Sequence, residues 1–402
     1  ESEIEEGVIW TGSDDGLIHI TRNGGKTWEN VTPPENISPK LNMINSIDIS
    51  PFQKGKVYIA ATSYKFGDYT PYLYKSEDYG KSWNLITDGI SEDYYTRVVR
   101  TDKKREGLLY AGTEWGMFIS FDDGSSWNEF QLNLPITSIR DLKVKDNDLV
   151  VATHGRSFWM IDDLTPLHQL NNEIVNDEAI LFKPDVSYRL AQSGGWRKPN
   201  TLLVGENHPN GVIINYYLKN YDSNDFVKID ILKKDGSTIR SFTNNKRKLK
   251  INSNKPVLSN ENDIDYALSA SNIKSIEPHS GGNKLIWDMR YPGFVSFDGM
   301  VLYSSPNTGP KVVPGKYDLI LTYNDQEIKK EFEIIKDPRV NNTQEDYESQ
   351  LNFLLKVRDE VSNANQTIID IRKIKNDLEY IKNKVSGKRQ IVDLINEFKG
   401  KL

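Results

Sequence analysis

The sequence predicts a mainly β protein: a partial β-propeller, then a β-sandwich, then an α-helical C-terminal tail. Four stretches before residue 165 repeat one strand–turn–strand pattern, and repeats at such distances indicate a radial or solenoid architecture. Strand-like segments bounded by turn residues follow, and from residue 343 apolar residues recur every three or four positions. We therefore predict propeller blades at 1–165, a linker at 166–179, a sandwich at 180–338 and a helical tail at 339–402.

Three of the repeats end in the same turn, which reads Ser/Thr-x-Asp/Asn-x-Gly-x-Ser/Thr-Trp. We call these the box turns, and they occupy residues 21–28, 76–83 and 120–127. Their tryptophans lie 55 and 44 residues apart, about the length of one four-stranded propeller blade. The spacing predicts one box turn per blade.

The residue types of the box turns indicate a structural role rather than a catalytic one. A side-chain oxygen is expected to accept hydrogen bonds from nearby backbone N–H groups, at Asn23, Asp78 and Asp122. Glycine is expected to adopt a positive φ, at Gly25, Gly80 and Gly124. A large apolar ring is expected to pack between sheets, at Trp28, Trp83 and Trp127.

Composition excludes several classes of function. The chain has 402 residues, a formal net charge of −6 and no cysteine. The lack of cysteine excludes disulfides, thiolate metal sites and cysteine nucleophiles. The charge is no nucleic-acid signature, and no apolar run approaches a membrane span. No signal peptide is visible in the sequence. We predict neither a nucleic-acid partner nor a membrane span.

The first repeat lacks an innermost strand, since residues 8–12 already have the pattern of a strand inside a blade. Three and a half blades cannot close a ring, and open sheet edges favour unwanted pairing. We therefore expect that a missing N-terminal propeller segment, or a partner chain, completes the ring. A signal peptide or lipid anchor would have been lost with such a segment.

The later segments have their own signals. Residues 212–218, 226–232, 284–289, 315–322 and 328–335 have the pattern of strands, and Tyr317 is predicted to lie in the sandwich core. The sequence around Thr343 predicts a helix start, with Glu345 and Asp346 in the first turn. Ser386 and Gly387 are expected to break the helix before a short last one at 390–398.

Functional side chains are expected on the face opposite the box turns, because successive turns of a blade alternate between the two faces. The turns between second and third strands, and the connections between blades, share that face and carry carboxylates, aromatics and cations. Such a set suits a sugar or a protein interface. The predicted ligand-binding residues are Asp14, Asp15, Tyr69, Tyr94, Tyr95, Trp115, His154 and Arg156.

Hydrolysis of a glycoside requires two carboxylates that flank one bond. Glu114 and Asp93 are the candidates on this face, and the sequence does not place them at a required separation. The histidines are scattered without ligand spacing, so we predict no metal site and no cofactor. Calcium at residues 14–15 or 162–163 is the alternative, although acidic turns are usually only solvated.

The box turns resemble the Asp-box of sialidases, sortilins and related β-propellers. Residues 8–165 resemble the end of the propeller in large bacterial proteins labelled sortilin-like or Asp-box (BNR-repeat) glycosyl hydrolases. The segments that carry the resemblance are 9–34, 110–124, 131–137, 147–164, 284–303 and 313–326. The resemblance implies a secreted, periplasmic or cell-surface bacterial protein. The residues around 282–288 and 314–317 also resemble an immunoglobulin-like sandwich.

Two functions follow from the sequence. The first is an extracytoplasmic binding or scaffold module that recognises a protein or glycan partner through the face opposite the box turns. The alternative is the C-terminal half of a glycoside hydrolase acting on a polysaccharide. The label of hydrolase in the resembling family rests on fold, which does not by itself establish function.

Overall fold

The computed structural model describes residues 1–171, 176–190, 209–244, 273–297, 299–301 and 307–402. The chain forms two compact units, Glu1–Val175 and Asn176–Leu402. Residues 172–175 of the predicted linker lie outside the described residues, as do 298, 302 and 303 of the segment 284–303. Each unit is described by itself below.

The first unit consists of four small antiparallel sheets, each built in chain order. Sheet 1 contains β1 (Ile9–Gly12), β2 (Ile18–Thr21) and β3 (Glu29–Asn30). Sheet 2 contains β4 (Met43–Ile49), β5 (Val57–Thr62), β6 (Tyr72–Ser76) and β7 (Asn84–Leu85). Sheet 3 contains β8 (Thr96–Thr101), β9 (Leu109–Thr113), β10 (Met117–Ser120) and β11 (Asn128–Glu129). Sheet 4 contains β12 (Ile139–Lys145), β13 (Asp148–Thr153) and β14 (Phe158–Ile161). The predicted strand content of residues 8–165 is therefore confirmed.

Each sheet packs against the next one in the chain through an apolar layer. Between sheets 1 and 2, Trp10 meets Trp83 edge-on with ring centroids 6.1 Å apart. Leu73 and Phe118 belong to the layer between sheets 2 and 3, and further layers join sheets 3 and 4. β5 (Val57–Thr62) is buried on both faces, which explains why its residues before Thr62 form a continuous apolar run.

The up-and-down order of strands gives the unit two distinct sides. The box turns join β2 to β3, β6 to β7 and β10 to β11, and we call the side that they share the box side. The turns β1–β2, β5–β6, β9–β10 and β13–β14 and the connections between sheets lie at the opposite ends of the strands, which we call the loop side. Candidate functional residues were predicted on the loop side.

The segment predicted as a linker begins with a short helix, α1 (Thr165–Gln169). Its His168 contacts the Asp102 carboxylate through Nε2 at 2.9 Å, and the Tyr110 hydroxyl donates to the same oxygen at 3.1 Å. Asp102 is fully buried. The first residues of the predicted linker are thus packed on sheet 3 rather than free. They place His168 beside Asp102, and a buried carboxylate needs such a partner.

The described residues of the second unit form two further sheets. Sheet 5 has the order β15 (Ala179–Leu181), β17 (Val212–Leu218), β21 (Gly281–Trp287). Sheet 6 has the order β16 (Ser187–Arg189), β23 (Gln326–Lys336), β22 (Gly315–Tyr323), β18 (Val227–Leu232), β19 (Thr238–Thr243), β20 (Ile273–Ser275). One apolar core contains residues of both sheets. Tyr317 is buried in it and stacks on Phe332 with centroids 5.8 Å apart, which confirms the predicted core position.

The C-terminal tail is helical, as predicted. Helix α2 spans Gln344–Lys384, and Thr343 and Asp346 form the capping box at its start. Helix α3 spans Arg389–Lys401 and is joined to α2 by an ion pair of 2.5 Å between Lys399 and Glu379. Among the described residues, no helix combines the length and apolar character that crossing a membrane requires.

Candidate functional site

The box turns are held by side chains that bond to the turn's own backbone. In the third turn the Gly124 N–H donates to Ser120 Oγ at 2.9 Å, and Ser120 Oγ donates to Asp122 Oδ1 at 2.8 Å. The Ser126 N–H then donates to Asp122 Oδ1 at 2.9 Å. The second turn repeats these bonds with distances of 2.8, 3.0 and 2.9 Å, and the first with 2.9, 3.0 and 3.0 Å. The Ser120 hydroxyl and the Asp122 carboxylate, with their counterparts in the other two turns, thereby maintain the turn.

Two of the three box tryptophans also tie neighbouring sheets together. The Trp83 indole N–H donates to the carbonyl oxygen of Val31 at 2.8 Å, and that of Trp127 donates to the carbonyl of Ile86 at 2.8 Å. Both side chains are buried. Trp28 differs: its side chain is 45% exposed, and it makes no such bond within the described residues. The expected wedge is therefore present in two turns.

Each box turn contains a pair of residues with positive φ, of which the sequence predicted only the second. The expected glycines have φ of 89°, 83° and 83° at Gly25, Gly80 and Gly124. The residue before each also has positive φ: Gly24, Tyr79 and Asp123. Asp123 projects between sheets 2 and 3, where it pairs with Lys56 at 2.7 Å and Lys75 at 2.9 Å. This buried ion-pair network belongs to the box side.

The loop side has a cluster of aromatic rings around one arginine. Tyr64 and Tyr95 stack with centroids 5.2 Å apart, and Tyr69 leans on Tyr95 at 5.8 Å. The Arg97 guanidinium lies 4.7 Å from the centroids of both Tyr64 and Tyr95. Cation–π contacts of this kind stabilise a buried cation. Tyr64 and Arg97 were not among the predicted ligand-binding residues.

Arg97 is also paired with Glu114, and this pair orders the centre of the loop side. Arg97 Nε and Nη2 donate to Glu114 Oε2 at 3.0 and 2.8 Å, and Ser138 Oγ donates to the same oxygen at 2.8 Å. Burial acts to raise the pKa of Glu114, but the hydrogen bonds from Arg97 and Ser138 outweigh it, so the pKa lies below its usual value. Glu114 is therefore held as a carboxylate.

A second arginine extends the cluster to sheet 4. Arg140 Nη2 lies 2.7 Å from His154 Nδ1, and the His154 backbone N–H donates to the Ser138 carbonyl at 2.8 Å. The positive charge of Arg140 also contributes to lowering the Glu114 pKa. The cluster that we call the loop-side cluster thus connects three sheets, from Tyr64 through Arg97, Glu114 and Ser138 to His154.

Exposed aromatic side chains border the loop-side cluster. Tyr69 is 52% exposed, Trp115 is 50% exposed, and Phe66, which was not predicted, is 65% exposed. Trp115 stands at the tip of a tight turn whose Gly116 has a φ of 149°. A Cβ at Gly116 would lie 2.3 Å from Gln131 Oε1, and Gln131 is itself held by the carbonyls of residues 134 and 135. The turn that presents Trp115 is therefore constrained.

The other predicted residues lie apart from this cluster or pack inside it. Tyr94 is half-buried and packs edge-on against Phe118, while Asp93 is exposed. Asp14 and Asp15 are exposed on sheet 1, and Asp15 accepts a hydrogen bond from the Ser13 hydroxyl. Arg156 is exposed, and its Nη1 donates to its neighbour's carbonyl at 3.4 Å. The structure joins Tyr69 to Tyr95 directly and Tyr95 to Glu114 through Arg97, whereas Asp14 and Asp15 lie on sheet 1.

Metal ligands do not converge in the described parts of the chain. There, no group of three or more His, Asp or Glu side chains has a geometry that would hold an ion. The pairs at residues 14–15 and 162–163 remain predictions for calcium. The contacts seen on the loop side are stacking, charge pairing and hydrogen bonding.

The chain is similar to known proteins over only part of its length. No family model matches the chain, and no curated protein matches it. Among solved structures, YCF48 bound to a D1 peptide shares 21% identity over 40% of this chain and 50% of its own, with a TM-score of 0.32. The GH74 enzyme of Niastella koreensis shares 13% identity over 54% of this chain and 35% of its own, with a TM-score of 0.34.

The GH74 xyloglucanase of Xanthomonas campestris shares 12% identity over 54% of this chain and 34% of its own, with a TM-score of 0.30. These three structures are β-propeller proteins. The chain spans about half of the length of YCF48 and about a third of the length of the GH74 enzymes. Similarities at this level assign neither a family nor a function to this chain.

Proposed function

We propose that the first unit is a binding or scaffold module that recognises a protein or glycan partner through its loop side. The observation that carries the proposal is the set of exposed rings, Tyr69, Trp115 and Phe66, beside an ordered cluster of Arg97 and Glu114. Exposed aromatic side chains on a rigid support are typical of binding surfaces, since little conformational entropy is lost when a partner covers them.

The same geometry argues against Glu114 as the acid of a hydrolase. A glycosidase acid requires a carboxyl whose pKa is raised, so that it holds a proton near neutral pH. The pKa of Glu114 is instead lowered, and its Oε2 already accepts hydrogen bonds from Arg97 and Ser138. Glu114 therefore supports the orientation of the surface, while hydrolysis by a longer protein stays the alternative.

The test compares variants of the exposed rings in one binding assay. Native affinity electrophoresis in gels with xyloglucan, and capture on an immobilised library of peptides, supply a glycan and a protein probe. Trp115→Ala and Tyr69→Ala are expected to lose most of the retardation or capture, because a central aromatic contributes about 2 kcal/mol or more. Tyr380→Ala is the matched control, since Tyr380 is 62% exposed on α2 in the other unit.

The outcomes separate the two functions. Loss of binding in the ring variants alone, with no release of reducing sugar, supports the binding module. Release of reducing sugar that disappears in Glu114→Gln or Asp93→Asn, with binding retained, supports the hydrolase. Equal binding by Trp115→Ala, Tyr69→Ala and Tyr380→Ala would refute the loop side as the binding surface.

We further propose that the four sheets are blades of an incomplete Asp-box propeller that a further propeller segment or a partner chain completes. Support comes from the two outer faces of the stack. Trp28 on sheet 1 and Phe158 and Met160 on β14 are 45%, 78% and 57% exposed, whereas their counterparts Trp127, Met117 and Ile119 are buried between sheets. Apolar side chains in such a repeat are stabilised when another sheet covers them.

The native protein tests this proposal directly. Intact mass and N-terminal sequencing of the purified native protein establish whether a longer polypeptide carries further blades. Size-exclusion chromatography with light scattering establishes whether a partner chain is bound. A monomeric native chain with the N-terminus at Glu1 and with Trp28 open to a fluorescence quencher would contradict it.

The remaining parts of the proposal concern the second unit and the location. We propose that sheets 5 and 6 form an immunoglobulin-like sandwich, supported by their shared core around Trp287 and Tyr317. We also propose that the protein acts in the periplasm, at the cell surface or in the medium of a bacterium. Fractionation of the source cells, with detection by antibody, tests the location, and recovery in the cytoplasmic fraction alone would exclude it.

A further inference from the structure

A pocket of about 340 Å³ lies within the second unit, between the end of β16 and the first turns of α2. Eight residues line it, among them Arg189, Leu190, Arg290, Lys311, Gln350 and Leu354. Three of the eight are cations, and they come from three separate segments of the chain. The fold therefore brings three positive charges to one cavity.

These three cations have neutral partners. Arg189 Nε donates to the Val312 carbonyl at 2.8 Å, Arg290 Nη1 to the Gly309 carbonyl at 2.7 Å, and Lys311 Nζ to the Leu190 carbonyl at 3.1 Å. None of the three forms an ion pair with a carboxylate in the residues that the structure describes. Carbonyl oxygens position the cations without neutralising them.

The charges also act on one another. Burial lowers the pKa of Lys311, and the positive charges of Arg290 and Arg189 lower it further. The exposed carboxylate of Asp288 opposes this shift. The three cations are partly buried, and a partly buried cluster of like charge is unfavourable unless a counter-charge reaches it. The pocket is open to solvent, so an anion from solution has access to it.

We propose that this pocket binds a small molecule through an oxyanion, either a phosphate or a carboxylate group. Arg189 donates through Nε and Nη2 to Val312 and Gln350, and Arg290 donates through Nη1 to Gly309. A guanidinium has five N–H donors, so each arginine keeps further donors for such a group, and Lys311 adds a point charge. Leu190 and Leu354 line the same cavity and provide an apolar wall. The volume of about 340 Å³ corresponds to roughly ten water molecules at about 30 Å³ each, so an organic portion fits beside the oxyanion.

The experiment is isothermal titration of the full chain with inorganic phosphate and, separately, with glucuronate at constant ionic strength. The two probes distinguish a tetrahedral from a planar oxyanion. Saturable binding of one probe with a stoichiometry of one is expected. Lys311→Gln and Arg290→Gln are each expected to weaken that binding at least about tenfold, because a charge-assisted hydrogen bond is removed.

Lys284→Gln is the matched control, since Lys284 is exposed on β21 of the same unit and outside the pocket. Circular dichroism verifies that each variant is folded, and Lys311→Gln serves if Arg290→Gln does not fold. The proposal is overturned if neither probe saturates below about 10 mM, an affinity weaker than about −3 kcal/mol. It is also overturned if Lys284→Gln weakens binding as much as Lys311→Gln. The result does not depend on the loop side of the first unit.

Discussion

The two sides of the first unit connect the same strands, but the side chains in their turns differ in how far they repeat. On the box side the same bonds recur in all three turns, as with the Ser76 and Ser120 hydroxyls that each accept from a glycine N–H. On the loop side three turns also share a bond, from the Ser13, Thr113 and Thr153 hydroxyls to a turn carbonyl. The side chains at their tips differ, and Tyr69 and Trp115 are half exposed. The box side repeats its side chains as well as its bonds, whereas the loop side repeats only bonds.

The largest expected effect tests the box side through its tryptophans. Trp127→Ala removes a buried ring and its bond to the Ile86 carbonyl, so the free energy of unfolding is expected to fall by about 3–5 kcal/mol. Trp28→Ala, at a position already 45% exposed, should cost far less. Urea denaturation followed by circular dichroism measures both. Equal losses would show that Trp28 is covered in solution.

A single hydroxyl of the box side gives the next effect. Ser120→Ala leaves the buried N–H of Gly124 without its acceptor, and it is expected to destabilise the protein by about 1–3 kcal/mol. Ser125→Ala changes an exposed residue of the same turn and should stay within about 0.5 kcal/mol of wild type. Thermal unfolding of the two variants side by side makes the comparison. If Ser120→Ala left the stability of the protein unchanged, the hydroxyl of the motif would have no structural role.

Low pH is expected to destabilise the native state through protonation of Asp102, which lies on the box side. Burial acts to raise the pKa of Asp102, but hydrogen bonds from His168 and from the N–H groups of Lys104 and Arg105 lower it overall. The folded pKa thus lies below the unfolded value of 3.8, so this carboxylate stabilises the native state above that pH and the contribution is lost as pH falls through the folded pKa. The free energy of unfolding, measured by denaturation between pH 7 and pH 2, should therefore fall less steeply in acid for Asp102→Asn than for the wild type.

The control for the acid prediction lies on the loop side. Asp93→Asn changes an exposed carboxylate there and is expected to keep the wild-type dependence on pH. If Asp102→Asn and Asp93→Asn gave the same acid limb as wild type, the His168–Asp102 contact would not contribute to stability.

The smallest effect on stability belongs to the exposed rings. Trp115→Ala and Tyr69→Ala should change the free energy of unfolding by no more than about 0.5 kcal/mol, because each side chain is half exposed. If the same variants lose binding while stability is kept, the difference between the box side and the loop side becomes clearer. A loss of several kcal/mol would instead mean that these rings hold the loops in place.

Much of the fold follows from local patterns in the sequence. The box turns were predictable because Ser/Thr, Asp/Asn and Gly at fixed positions satisfy one turn's own backbone. The start of α2 was predictable for the same reason, since Thr343 and Asp346 cap it reciprocally. In both places the interacting residues lie within four positions of each other.

The candidate site was predictable only in part. Tyr95, Glu114 and His154 were expected on one face from the alternation of turns, and they lie there. The central role of Arg97 was missed, because its partner Glu114 is seventeen positions away, in the turn that follows β9. Tyr94 and Tyr95 were both expected at the surface, but Tyr95 is buried, and Tyr94 is half-buried and packs on Phe118. How deeply each of two adjacent tyrosines is buried depends on the neighbouring sheets.

The sequence by itself determined the β-rich class, the box turns and the helical tail, because these depend on residue types at short, regular spacing. Only the tertiary structure decided which tryptophans are buried and which charges are paired. Trp28 and Trp127 have the same local motif, and they differ because a carbonyl of a preceding sheet is present for one of them. Likewise, Arg189, Arg290 and Lys311 are far apart in the chain, and their shared cavity exists only once the strands have come together.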